Sequence, residues 1–259
     1  MYELYSTGKQ TYHQLSEQFK CSNRTIQRLL DKVKIESQTE FSGVANIIMD
    51  TTYFGRNFGV MVFKNSLTGE ILYKNYVKHE TNVLYIAGLS EIRRRGIHIQ
   101  SIICDGRQGI FKSLSDFPVQ MCHFHMVKIV LTKITRTPKT DAGKSLKHLI
   151  LKLKYSTKES FTNNLNDWYS QWKFYLDERS YSFKAKKLTF THKRLRSAYL
   201  SLKRHLPYLF VFEDFKELDI PKTTNALDGH FSDLKNKLRN HNGLSKERKI
   251  KFIDGFFKV

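Results

Sequence analysis

Between residues 44 and 124 the chain alternates short apolar runs with amphipathic stretches. The run Val44-Ala45-Asn46-Ile47-Ile48-Met49 closes at Asp50, and residues 58–63 and 71–77 form two more. Asn65-Ser66-Leu67-Thr68-Gly69 between them is turn chemistry. Apolar runs this short, bounded by turn signals, predict buried strands, and three with short connections predict an antiparallel meander. Residues 82–95 place Val83, Ile86, Leu89 and Ile92 on one face of a predicted helix. Arg93-Arg94-Arg95 at its end complement the helix dipole, and Gly96 stops it. Ser101-Ile102-Ile103-Cys104 belongs to a fourth strand over residues 99–104, closed by Asp105 and turned by Gly106. After a short helical piece, residues 119–124 predict a fifth.

The flanking text is helical. Residues 7–33 read as two short helices, with Leu15 and Phe19 marking the first and Ile26, Leu29, Leu30 and Val33 the second. Lys20-Cys21-Ser22 is the turn, and Ser22 is a good N-cap. A polar linker follows over residues 34–43. Residues 126–206 are helical, polar and aromatic, too long for a loop, and so predict a helical insertion. Trp168 and Trp172 lie four apart on one face, which favours core packing over base stacking. Pro207 and Pro221 bracket an exit segment. A last clear helix begins after Lys222-Thr223-Thr224-Asn225, capped by Thr224 or Asn225, with Leu227, Phe231, Leu234 and Leu238 as its buried stripe. Asp228, Ser232, Lys235 and Arg239 form the neighbouring stripe, a first-turn carboxylate with a basic ridge running away from it.

Charge sharpens this picture. The 259 residues hold 44 Lys and Arg against 24 Asp and Glu, a formal net charge of +20 spread along the chain. That imbalance suits a polyanionic partner such as nucleic acid. Asn23, Arg24, Gln27 and Arg28 sit near the start of the second helix, the pattern of a helix-turn-helix whose early residues reach base edges. An ordinary helical hairpin is the plainer alternative. Asp50 and Asp105 end apolar strands, and ligand sites in open α/β sheets lie at such ends. Together with the basic charge they suggest a metal site facing a polyanion. Three widely spaced cysteines give no disulfide framework. No apolar run approaches the ~18 residues that span a membrane. A cytoplasmic, nucleoid-associated protein is the expectation, with no membrane partner. No phosphate loop, nucleophile elbow or internal repeat is visible.

Three antiparallel strands, a helix, a strand, a helix and a strand is the order of the ribonuclease-H-like fold, an α/β class. The segment from Thr223 through Asp228 to Lys235, followed by His241-Asn242-Gly243-Leu244-Ser245, resembles the third-carboxylate helix of bacterial insertion-sequence transposases related to the Mutator superfamily. Cys122-His123-Phe124-His125 is similar to that superfamily's Cys-x-x-His signature. The resemblance covers roughly residues 45 to 255 and rests on the order and spacing of the motifs. With the helix-turn-helix read as a small module over residues 1–40, the resemblance implies a DDE transposase domain over 41–259 with its insertion at about 126–206. It further implies that Asp50, Asp105 and Asp228 are the three acids and hold magnesium or manganese. Phosphoryl transfer would act on double-stranded DNA at element ends and target, in a homodimer that holds two ends together. The family's third acid is glutamate, so Asp228 is one methylene shorter. Two rivals stand beside this reading: a catalytically decayed transposase relic acting only as a DNA-binding protein, and a structure-specific nuclease on the same fold. Glu213 and Glu217 are alternative third acids. Cys122 and His125 are either half of a zinc site or a brace near Asp105, and His123 reads as a strand residue. Asp116 and Asp254 lack any supporting pattern.

Overall fold

The computed structural model describes residues 1–35, 43–241 and 243–258. Most of the expected linker and Asn242 of the last motif lie outside them. In chain order, the first elements are α1 (Tyr2–Ser6), α2 (Tyr12–Gln18) and α3 (Asn23–Lys32). Strands β1 (Gly43–Tyr53), β2 (Gly59–Asn65) and β3 (Ile71–Val77) lead to α4 (Asn82–Arg94), β4 (Ile97–Cys104), α5 (Ile110–Ser113) and β5 (Val119–Met121). Helices α6 (His123–Ile134), α7 (Asp141–Leu151) and α8 (Lys158–Asp177) precede a hairpin of β6 (Arg179–Ser182) and β7 (Lys187–Phe190). Helices α9 (Lys193–Leu209), α10 (Val211–Asp214), α11 (Asn225–Arg239) and α12 (Lys246–Phe257) complete the chain. The main sheet has five strands in the order β3-β2-β1-β4-β5. β1, β2 and β3 pair antiparallel, and β4 pairs parallel with β5. This mixed α/β arrangement is compatible with a ribonuclease-H-like fold.

The chain divides into two compact units, Met1–His98 with Asn225–Val259, and Ile99–Thr224. In the first unit the meander is buried on both faces, which explains why β1 and β2 read as near-continuous apolar runs. Asn65 makes the β2–β3 turn: its side-chain oxygen accepts from the Leu67 amide at 3.1 Å, and Gly69 takes the left-handed conformation at φ +80°. Helix α4 covers the face that carries Phe63. Its buried residues are Tyr85, Gly88, Leu89 and Ile92, spaced i, i+3, i+4, i+7. Val83, expected on this stripe, is 76% exposed. The true stripe runs through a tyrosine and a glycine, which a search for aliphatic positions passes over. Glu91 holds Arg94 and Arg95, and those hydrogen bonds keep its carboxyl down at about 2.

The N-terminal helices belong to this same unit. Thr11 and Ser22 cap α2 and α3 through the Gln14 and Thr25 amides. Leu15, Ile26 and Leu30 are buried as expected, whereas Phe19 and Leu29 are exposed. Tyr5 stacks on Tyr12 and meets His241 and Phe252. Arg248 of α12 donates two hydrogen bonds to Asp31 of α3, at 3.0 and 2.7 Å, which lower the Asp31 carboxyl. Asp254 fastens the other side of α12 to β3 by accepting from the Tyr76 hydroxyl at 2.7 Å and pairing with Lys74 at 3.2 Å.

In the second unit α6 packs along α9, and α7 and α8 close around them. Trp168 is core, donating its indole N–H toward Ala142 O and Ser145 Oγ at 3.2 and 3.0 Å, while Trp172 is half-buried. Three expectations are corrected here. β5 ends at Met121, and His123 opens α6 instead of continuing the strand. Helix α9 runs through Pro207 to Leu209. Two buried side chains fix that end, since Gln120 Nε2 donates to Leu209 O at 2.8 Å and His123 Nε2 lies 2.6 Å from the same oxygen. The expected all-helical stretch also contains the β6–β7 hairpin, whose polar strands lack an apolar run to announce them.

Two stability predictions follow from this packing. A β-carbon on Gly88 would stand 2.3 Å from Phe63 Cζ, inside a ring with no exposure. Gly88→Ala is therefore expected to cost about 1–3 kcal/mol in urea denaturation; an unchanged midpoint contradicts this. Burial holds the imidazoles of His123, His205, His230 and His241 below their usual 6.5. The folded state favours their neutral forms, so the unfolded chain binds more protons as the pH drops below 6.5. Stability is present above that value and is lost as pH falls through the depressed folded values. The urea midpoint is expected to drop from about pH 7.5 to about pH 5.5, and a midpoint that holds or rises contradicts the assignment.

Candidate functional site

Asp50 lies inside β1, three residues before its end at Tyr53, opposite Val62. The expectation that it ends the strand is corrected: Thr51, Thr52 and Tyr53 are β-branched or aromatic and extend the strand as readily as an apolar run. Directly opposed residues share a face, and faces alternate along a strand. Ile48 pairs with Lys64 and Asp50 with Val62, so Asp50 and Lys64 belong to one face. Helix α11 packs on β1 in this unit, and the Lys64 ammonium lies 3.4 Å from Ala226 O and from His230 Nε2. The helix that carries Asp228 in its first turn therefore covers the face that carries Asp50. Leu227, Phe231 and Leu234 are buried as expected, and Leu238 is half-buried.

The surroundings of Asp50 include groups that the sequence did not single out. The Thr51 amide donates to Asp50 Oδ1 at 2.7 Å. On the opposite face the Tyr85 hydroxyl donates to Glu80 Oε1 at 2.6 Å and lies 3.0 Å from Thr51 Oγ1. Burial, then the Glu80 charge, pushes the Tyr85 phenol well above its usual range, so it stays a donor. Burial also lowers the Lys64 ammonium. A lysine closing the run Val60-Met61-Val62-Phe63 was the available signal for Lys64. Nothing in the local pattern marks Glu80.

Further along α11, Lys235 and Arg239 line a cleft of about 320 Å³ with Lys249, Tyr53 and Phe54. Among the described residues no acidic side chain lines it. Asn23, Arg24 and Arg28 are exposed on α3, and Gln27 is half-buried.

Asp105 follows β4 directly, in the second unit, and its Oδ1 accepts from the Arg107 amide at 3.2 Å. Cys122 caps α6, donates its amide to Cys104 O at 2.9 Å, and accepts at Sγ from the Thr224 amide and hydroxyl, each at 3.4 Å. Burial pushes this thiol up, but hydrogen bonds with His125 and Thr224 outweigh it and leave the thiol below its usual range. Cys122 thus ties β4 to the segment that ends at Thr224. Glu213 accepts from the Lys158 amide at 3.2 and 3.0 Å, capping α8, and Glu217 is exposed. Asp116 is exposed, and Asp254 is held by Tyr76 and Lys74.

Among the described residues, no three His, Cys, Asp or Glu side chains form a group that could hold a metal ion. Among the described residues no helix is long and apolar enough to cross a membrane.

No family model matches the chain, and no curated protein does. Among solved structures, a simian T-cell lymphotropic virus intasome in complex with PP2A regulatory subunit B56 gamma is similar at 11% identity over 74% of this chain and 68% of that one. The TM-score is 0.25, a likeness too low to carry a functional argument.

The capping role of Glu213 is separable from chemistry. Glu213→Ala removes one acceptor at the start of α8, whose N-cap Thr157 remains, so it is expected to cost about 0.5–1.5 kcal/mol of stability and to leave any strand-cleaving activity intact. Loss of cleavage with unchanged stability would return Glu213 to the candidate acids.

Proposed function

We propose that this chain is a DNA transposase, binding the ends of a mobile element and cleaving and transferring strands, with Asp50, Asp105 and Asp228 as its acids. The observation that carries the reading is the shared face in the first unit: α11, with Asp228 in its first turn, packs over the strand face that bears Asp50. The same helix continues to Lys235 and Arg239, so a cation-lined cleft adjoins the elements that carry both acids. Carboxylates beside cations suit a phosphodiester: the cations hold the phosphate oxygens, and the acids act where the strand is cut. Asp105 and the magnesium or manganese ion enter by the motif resemblance, which places the second acid directly after the fourth strand. Asn23, Arg24, Gln27 and Arg28 on the capped α3 are the proposed base readers, in a helix-turn-helix formed by α2 and α3. The net charge of +20 supplies sequence-independent affinity for DNA.

The test is cleavage and binding of end-containing duplex, with a divalent ion present, by wild type, Asp50→Asn and Asp228→Asn. Asparagine keeps the shape and removes the charge. Each variant is expected to lose about 100-fold or more in cleavage rate, the scale on which misplacing a positioned group acts, while duplex affinity stays near that of wild type. Cleavage by either variant at the wild-type rate would remove that residue from the site. Wild-type protein that binds duplex but never cuts it would favour the DNA-binding relic.

A further inference from the structure

The second unit carries a basic surface that the proposed chemistry does not use. Where the C-terminal end of α6 meets the starts of α7 and α9 lies a hollow of about 550 Å³, lined by Lys133, Lys139, Lys193, Arg194 and four threonines. A smaller hollow of about 300 Å³ shares Lys133 and Lys193 and adds Arg196 and Arg204. Among the described residues no aspartate or glutamate lines either one.

The cations are not explained by local structure. Lys193 and Arg194 occupy the first turn of α9, the end where the helix dipole disfavours positive charge, and no acid shares that turn. Arg196 is partly neutralised by Asp177 and lies over the Phe190 ring, and Glu178 holds His192 at 2.8 Å. Lys133 donates to Ser197 Oγ at 2.6 Å and Arg194 to Thr132 O at 2.8 Å, both neutral acceptors, and neither cation has an ion-pair partner among the described residues. Lys139, Lys193 and Arg204 are exposed and have no ion-pair partner among the described residues. Gathering these like charges works against the compact state unless an anion joins them.

We propose that the two linked hollows hold the phosphodiester backbone of a nucleic acid, a contact additional to the α11 cleft. The proposal rests on the nucleic-acid reading above. The two hollows, of about 550 and 300 Å³, share Lys133 and Lys193 and so form one continuous cation-lined track with more room than a lone phosphate needs. Lysine, arginine and threonine are backbone-contacting groups that fix position without reading sequence.

The experiment is a titration of full-length protein with fluorescent random-sequence duplex at several salt concentrations. Lys139→Ala/Lys193→Ala/Arg204→Ala removes three exposed charges from the track. Each phosphate neutralised contributes ~0.9 to the slope of log affinity against log salt. The slope is expected to become shallower by about 2 to 3. Lys152→Ala/Lys154→Ala/Lys216→Ala removes the same charge outside the hollows and is expected to leave the slope near wild type. An unchanged slope in the first variant, or an equal change in the second, overturns the track while leaving the nucleic-acid reading intact. Wild-type protein that binds no duplex at low salt overturns both.

Discussion

The first unit is governed by the need to cover a meander that is apolar on both faces. Helix α4 follows the meander in sequence and takes the Phe63 face. The other face carries Lys64 and Asp50, and its cover, α11, comes from residues 225–239, after the chain has built the entire second unit. The fold is therefore closed by a long-range contact, and that contact decides which polar groups share a surface. Burying a lysine among apolar strands is costly unless its ammonium finds partners. Lys64 finds them at Ala226 O and His230, at the start of the covering helix.

The last helix extends the same logic to the N-terminus. α12 is held to β3 through Asp254 and to α3 through the Arg248–Asp31 pair. Tyr2 donates to Lys251 O at 2.9 Å and packs where a side chain on Gly255 would collide with it. His241, buried at the end of the α11 segment, lies 3.1 Å from Tyr5 O. The helices proposed to read DNA bases are thus fastened to the element that follows the basic cleft, within one compact unit.

The sequence displayed much of this and hid the rest for physical reasons. β3 matches its apolar run residue for residue, and Asp105 stands where β4 stops. Ser22 caps α3 as its chemistry suggested. Polar or small residues inside elements caused the misreadings. Threonines after Asp50 concealed the continuation of β1, and Gly88 and Tyr85 concealed the packed face of α4. His123 opens a helix, and its ring lies at Leu209 O, a contact 86 residues away that no local pattern encodes. The pairing of Glu80 with Tyr85 and the gathering of cations around α9 depend on tertiary packing in the same way.

The central claim is that Asp50 and Asp228 act as one unit on one face of the sheet. A double-mutant cycle on the cleavage rate of end-containing duplex tests it most directly, using Asp50→Asn, Asp228→Asn and the pair. Groups that act together are grossly non-additive. The expected result is a double variant no slower than the worse single one. Rate losses that multiply in the double variant would contradict the claim.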